Sequence, residues 1–91
     1  MLLDFGKGGD CPQCILQAEA IDELRAECEG KVNFRFVNVI KEARSISNYS
    51  IFLIPTLVFL DAEGNEVDRY TGMLEADELR KRFKLLGWME L

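Results

Sequence analysis

The stretch Asp10-Cys11-Pro12-Gln13-Cys14 sets two cysteines three positions apart. That spacing can close a disulfide, supply half of a metal site, or arise by chance. Ahead of Cys11 lies the glycine-rich loop "GKGGD", and Pro12 suits the first position of a helix, where its missing N–H would have had no partner. Cys11 then stands just before a helix, its sulfur facing first-turn N–H groups that stabilise negative charge. A thiolate is favoured there, so Cys11 should titrate below the free-thiol value of about 8.5. Cys14, inside the helix and more buried, is close enough to bond Cys11. The expected division of labour is that Cys11 attacks and Cys14 resolves the mixed disulfide.

Two charged neighbours act on this pair in opposite senses. Asp10 adjoins Cys11 and disfavours a thiolate, whereas Lys7 can offset it from across the glycine loop. The sequence leaves the balance open. A metal is the competing use for the cysteines, and zinc takes about four ligands, mostly Cys and His, in structural sites. The chain has no histidine, and its only other cysteine, Cys28, lies one helix length away. A mononuclear site within one chain is therefore disfavoured, and no metal is assigned. A zinc ion or cluster shared between the Cys11 residues of two chains stays as an alternative. Cys28 falls in register with Ile21 and Leu24 and reads as a core residue, since free cysteine buries as a small hydrophobe.

The elements that must position the pair follow from periodicity. "LLDF" at 2–5 is a short apolar strand. Ile15, Ala18, Ile21, Leu24 and Cys28 recur at helical steps, and Gly30 stops the helix. "VNFRFVNV" at 32–39 alternates as a strand, with Val32, Phe34 and Phe36 on one face. A weaker helix spans 41–49, held by Ala43, Ile46 and Tyr49. "TLVFL" at 56–60 is a buried-type strand, "DAEGN" a turn, and "EVDRY" at 66–70 the return strand of a hairpin. The last helix runs from about Glu75 to Leu86, with Leu79, Phe83 and Leu86 inward, acids early and bases late. The order predicts an α/β fold: βαβ, a short helix, a β-hairpin and a helix, in a four-stranded mixed sheet with helices on both faces.

With 91 residues, 48% of them hydrophobic, one domain over 1–91 is expected. The formal charge of −5 argues against a nucleic-acid partner. The one basic run, "RKRFK" at 80–84, reads as a solvated helix end. The apolar run at 51–60 is too short to span a bilayer and is interrupted by Pro55, so no membrane role is expected. The N-terminus lacks the basic and apolar regions of a signal peptide. A cytoplasmic monomer is the expectation.

A proline directly ahead of a buried strand, in "FLIPTLVF" at 52–59, is unusual because it cannot donate to the ladder. A cis bond there would turn the chain sharply into the strand. Together, "LLDF", "CPQC", "NV", "YSIFLIPTLVFLDAEGNEV" and "YTG" resemble the thioredoxin superfamily, in the same order and over nearly the whole chain. The resemblance implies a dithiol–disulfide oxidoreductase without a cofactor, since the electrons reside in the two sulfurs. It makes Cys11 the nucleophile, Cys14 the resolving thiol and Ile54–Pro55 a cis bond facing them. Ile54, Pro55, Thr56 and Gly72 would line a groove where Ile54 pairs with an extended protein substrate. A reductase or glutathione would supply electrons, though Ile15, where a lysine often follows the second cysteine, weakens the case for glutathione. Asp10 stands where thioredoxins have tryptophan, Pro-Gln replaces Gly-Pro, and the N-terminal strand and helix of full thioredoxins have no counterpart, as in glutaredoxins. Asp4 corresponds to the buried aspartate that assists the resolving thiol, but the loop to Cys11 is one residue longer, and capping that loop is an equal reading. A docking module with vestigial thiols is a further alternative.

Overall fold

A computed structural model of the chain describes residues 1–90. The strands are β1 (Leu2–Gly6), β2 (Phe34–Asn38), β3 (Thr56–Leu60) and β4 (Glu66–Thr71). The helices are α1 (Pro12–Arg25), α2 (Arg44–Asn48) and α3 (Ala76–Leu85). The sheet order is β2-β1-β3-β4, with β1 parallel to β2, antiparallel to β3, and β3 antiparallel to β4. This is the expected mixed sheet. Asp61 closes the β3–β4 turn by accepting the Glu63 and Asn65 N–H groups, both at 2.9 Å.

Every residue of β1 is buried because both faces of the sheet are covered. Leu2 points into the larger core, with Ile21, Leu24, Cys28, Leu57, Phe59, Leu79 and Phe83 between the sheet and the helices α1 and α3. Leu3 and Phe5 point the other way, into a smaller core with Val37, Val39, Ile51 and Val58, against which Tyr49 and Ile54 pack. Alternation along the strand thus sends Asp4 and Gly6 to the α1 side.

Four local expectations are corrected. On α1 the inward stripe is Cys14, Gln17, Ala20, Ile21 and Leu24; Ile15 and Ala18 face solvent. The helix itself ends at Arg25, and a run of turns carries the chain to Gly30, whose φ of 78° permits the reversal. On β2 the face of Phe34 and Phe36 is only partly covered, and Val37, followed by Val39, is buried on the opposite face. The short α2 docks through Ser45, leaving Ala43 and Ile46 exposed. The basic run on α3 is engaged in ion pairs: Arg80 with Glu27 at 3.0 Å, Lys81 with Glu78, and Arg82 with Asp68 at 2.7 Å. No helix among the described residues is long and apolar enough to cross a membrane.

Candidate active site

Cys11 caps α1, and its Sγ accepts the Cys14 N–H at 3.3 Å. Pro12 occupies the first helical turn, where it removes a donor that has no helical partner. Cys11 and Cys14 form a disulfide across a Cα–Cα distance of 5.2 Å. Both are buried, Cys14 the more deeply. Asp10 turns its carboxylate outward onto Lys7 at 2.9 Å, and that bond holds the carboxyl below its ordinary range. The charge next to Cys11 is therefore already matched by a cation.

Gly6, the last residue of β1, makes room for the pair. A Cβ built on it would lie 3.2 Å from the Cys14 Sγ and 3.3 Å from a Phe36 ring carbon. Asp4 sits two residues earlier on the same face, 4% exposed, with its Oδ1 lacking any hydrogen-bond partner among the described residues. Burial raises its carboxyl to about 7, only partly opposed by the Arg25 guanidinium. Asp4 lines a cavity of about 70 Å³ bordered by Ile21, Asp22, Arg25 and Phe36. No hydrogen bond joins Asp4 to the glycine loop among the described residues, and its carboxyl stays buried on the face of β1 that carries Gly6.

The Ile54–Pro55 peptide bond is cis. The β1–β3 register ends at Phe5 opposite Thr56, so the cis bond falls just past the end of the pairing whose next β1 residue is Gly6, the residue under the Cys14 sulfur. Gly72 donates its N–H to the Pro55 carbonyl at 2.8 Å, and its φ of 121° suits glycine. Ile54 is partly exposed. Thr56 is corrected from a contact residue to a brace: it is 1% exposed, and its hydroxyl donates to the Leu53 carbonyl. Cys28 is fully buried, with burial raising its thiol, and its Sγ lies 3.8 Å from the Met89 Sδ. The described residues hold no group of three or more Cys, Asp or Glu side chains placed to bind a metal ion.

Sequence reasoning missed three features. Gly6 counts with the glycine-rich loop by sequence, but it ends β1 and lies beneath the Cys14 Sγ. Gln17 is fully buried although it lies off the Ile15–Ala18–Ile21 stripe that the sequence suggests, so the spacing carried no signal for it. Phe52 and Leu53, just before the cis bond, are 89% and 67% exposed, although they belong to the most apolar run of the chain.

A family model described as a thioredoxin-like domain matches residues 1–87. Thioredoxin 2 of Chlorobaculum tepidum is 30% identical over 81 residues, 89% of this chain and 72% of its own length. A Staphylococcus aureus thioredoxin is 29% identical over 69 residues; they are 76% of this chain and 65% of that protein, just under two thirds of its length. Among solved structures, thioredoxin-2 of the malaria parasite, described as a component of its protein secretion machinery, superposes with a TM-score of 0.86 at 19% identity. That match covers 92% of this chain and 80% of the other. Chloroplastic thioredoxin z superposes at 0.82 with 23% identity, covering 94% and 76%. At these identities the structural matches speak for the fold.

Proposed function

The chain belongs to the thioredoxin-like domain family, and from that premise we propose that it is a thiol–disulfide oxidoreductase reducing disulfides in protein substrates through Cys11 and Cys14. In the reduced protein, the Cys11 thiolate attacks one sulfur of a substrate disulfide. A mixed disulfide forms, and the other substrate sulfur leaves as a thiolate. Cys14 then gives its proton to the Asp4 carboxylate and attacks the Cys11 sulfur. The second substrate thiolate leaves, and the Cys11–Cys14 disulfide remains. Two electrons pass to the substrate, which takes up two protons in all, one of them by way of Asp4.

Each residue has a physical part in these steps. The first-turn N–H groups of α1 stabilise the Cys11 thiolate, and Lys7 offsets Asp10. Asp4, with its carboxyl at about 7, can take or give a proton near neutral pH. An extended substrate segment lies along Ile54 and Pro55, with Gly72 opposite and the Phe52 and Leu53 side chains alongside; Thr56 keeps the loop in shape from beneath. A reductase or a low-molecular-weight thiol such as glutathione returns the electrons. We assign the domain to residues 1–91 acting as a monomer in a reducing cytoplasm.

The observation that carries this reading is the helix-capping disulfide, with the Cys14 N–H directed at the Cys11 Sγ. Insulin reduction with dithiothreitol as donor tests it. Wild type should accelerate precipitation of the insulin B chain, Cys11→Ser should abolish the acceleration, and Cys14→Ser should accumulate the mixed disulfide. Equal rates for wild type and Cys11→Ser would overturn the assignment.

A further inference from the structure

Gln17 is fully buried on the inward stripe of α1, one helical turn beyond Cys14, yet the redox steps make no use of it. An apolar side chain would satisfy the core there, and a buried carboxamide costs free energy unless its donor and acceptor are both paired. Both are paired, and to a single residue. The Gln17 Nε2 donates to the Leu74 carbonyl at 3.0 Å, while the Leu74 N–H donates to the Gln17 Oε1 at 2.8 Å. The link spans 57 positions of sequence and joins α1 to the loop between β4 and α3. Leu74 is two residues past Gly72, whose N–H holds the Pro55 carbonyl at 2.8 Å. Continuous bonding therefore runs from the helix that bears Cys14, through Gln17 and Leu74, to Gly72 and the cis-proline loop.

Two antiparallel hydrogen bonds fix both the separation and the rotation of the loop against the helix, which an apolar contact cannot do because it lacks direction. We infer that Gln17 is a positioning residue that holds the 72–74 loop and Pro55 at a set offset from the Cys11–Cys14 pair, so that a protein segment in the groove presents its disulfide to Cys11. The inference rests on the oxidoreductase reading. It predicts a division between substrates: those that use the groove depend on Gln17, and a small disulfide that reaches Cys11 without the groove does not.

The test compares wild type with Gln17→Leu and Gln17→Met, two apolar side chains of similar volume, on insulin and on hydroxyethyl disulfide. Expected are folded variants with a KM for insulin raised about tenfold, little change in kcat, and unchanged turnover of hydroxyethyl disulfide. Hydrogen exchange followed by NMR should show the Leu74 and Gly72 amides exchanging faster in both variants, a readout that needs no turnover. An unchanged KM for insulin, or equal losses on both substrates, would overturn the inference while leaving the oxidoreductase assignment intact. A wild type inactive on both substrates would instead remove the oxidoreductase reading, and the positioning role with it.

Discussion

Replacing Asp4 with asparagine should stabilise the protein, and by an amount that grows with pH. The Asp4 carboxyl is raised from 3.8 to about 7 by burial, against a weaker pull from Arg25. Between these values the unfolded chain has lost the proton that the folded chain still holds, so wild-type stability falls as pH rises from about 4 to about 7. Above about pH 7 both states are ionised and the full penalty is present, about 4 kcal/mol at 1.36 kcal/mol per pH step. Asparagine carries no charge and escapes that loss, but its amide must find partners in the small cavity beside Asp22 and Arg25, which takes back roughly 1–2 kcal/mol. The expected net gain is about 2–3 kcal/mol at about pH 8, shrinking and then reversing toward about pH 4. Urea denaturation of the oxidised forms across this range measures it directly. A wild-type-to-variant difference that stays flat with pH would refute the reasoning, because it would mean that Asp4 titrates alike in the folded and unfolded chains. The same substitution removes the proposed proton acceptor, so resolution of the mixed disulfide should slow even as the fold becomes stronger.

Lys7→Gln leaves the Asp10 carboxylate unmatched beside Cys11, so alkylation of the reduced protein should need a higher pH, by a few tenths of a pH step; Asp10→Asn should shift it the other way, and added salt should shrink both effects. Phe52→Ser removes a side chain that is 89% exposed, so thermal stability should hold while KM for insulin rises severalfold, the equivalent of about 1 kcal/mol of lost apolar contact. An unchanged KM would place the substrate elsewhere. Gly6→Ala sets a Cβ 3.2 Å from the Cys14 Sγ and should cost about 1–2 kcal/mol in denaturation of the oxidised form, because a tethered sulfur yields less readily than the half-exposed Phe36 ring.

The cysteine pair was legible because its requirements fall on residue types at short spacing: Cys11 and Cys14 one helical turn apart, with Pro12 fit for the first turn. The hairpin was legible for the same reason, since Asp61, Gly64 and Asn65 serve a turn that closes locally. Which faces are covered was harder to read, because that depends on partners distant in sequence. Phe36 looked like core by alternation, but it sits on β2, an edge strand whose α1-side face is only partly roofed. Ile15 looked like core by helical step, yet the α1 stripe is rotated so that Cys14 lies on the β1 end at Gly6 and Gln17 reaches Leu74. Ile46 failed similarly, since a five-residue helix has little more than one turn with which to choose a face. Thr56 came with the cis-proline motif as a contact residue, and only its bond to Leu53 reveals that it works from below.

The sole tryptophan of the chain, Trp88, stacks on Phe83 with ring centroids 5.7 Å apart and lies 6.0 Å from the Phe59 ring. Its neighbour Met89 meets Cys28, which lies beyond the C-terminal end of α1, a helix of 14 residues and about 20 Å whose N-terminus carries the sulfur pair. The indole fluorophore therefore samples the aromatic cluster and not the N-terminal end of α1, where the sulfur pair sits. Its emission should follow melting of the aromatic cluster and stay dark to oxidation and reduction, so optical titrations of this chain will report folding, and electron transfer will have to be read by thiol labelling.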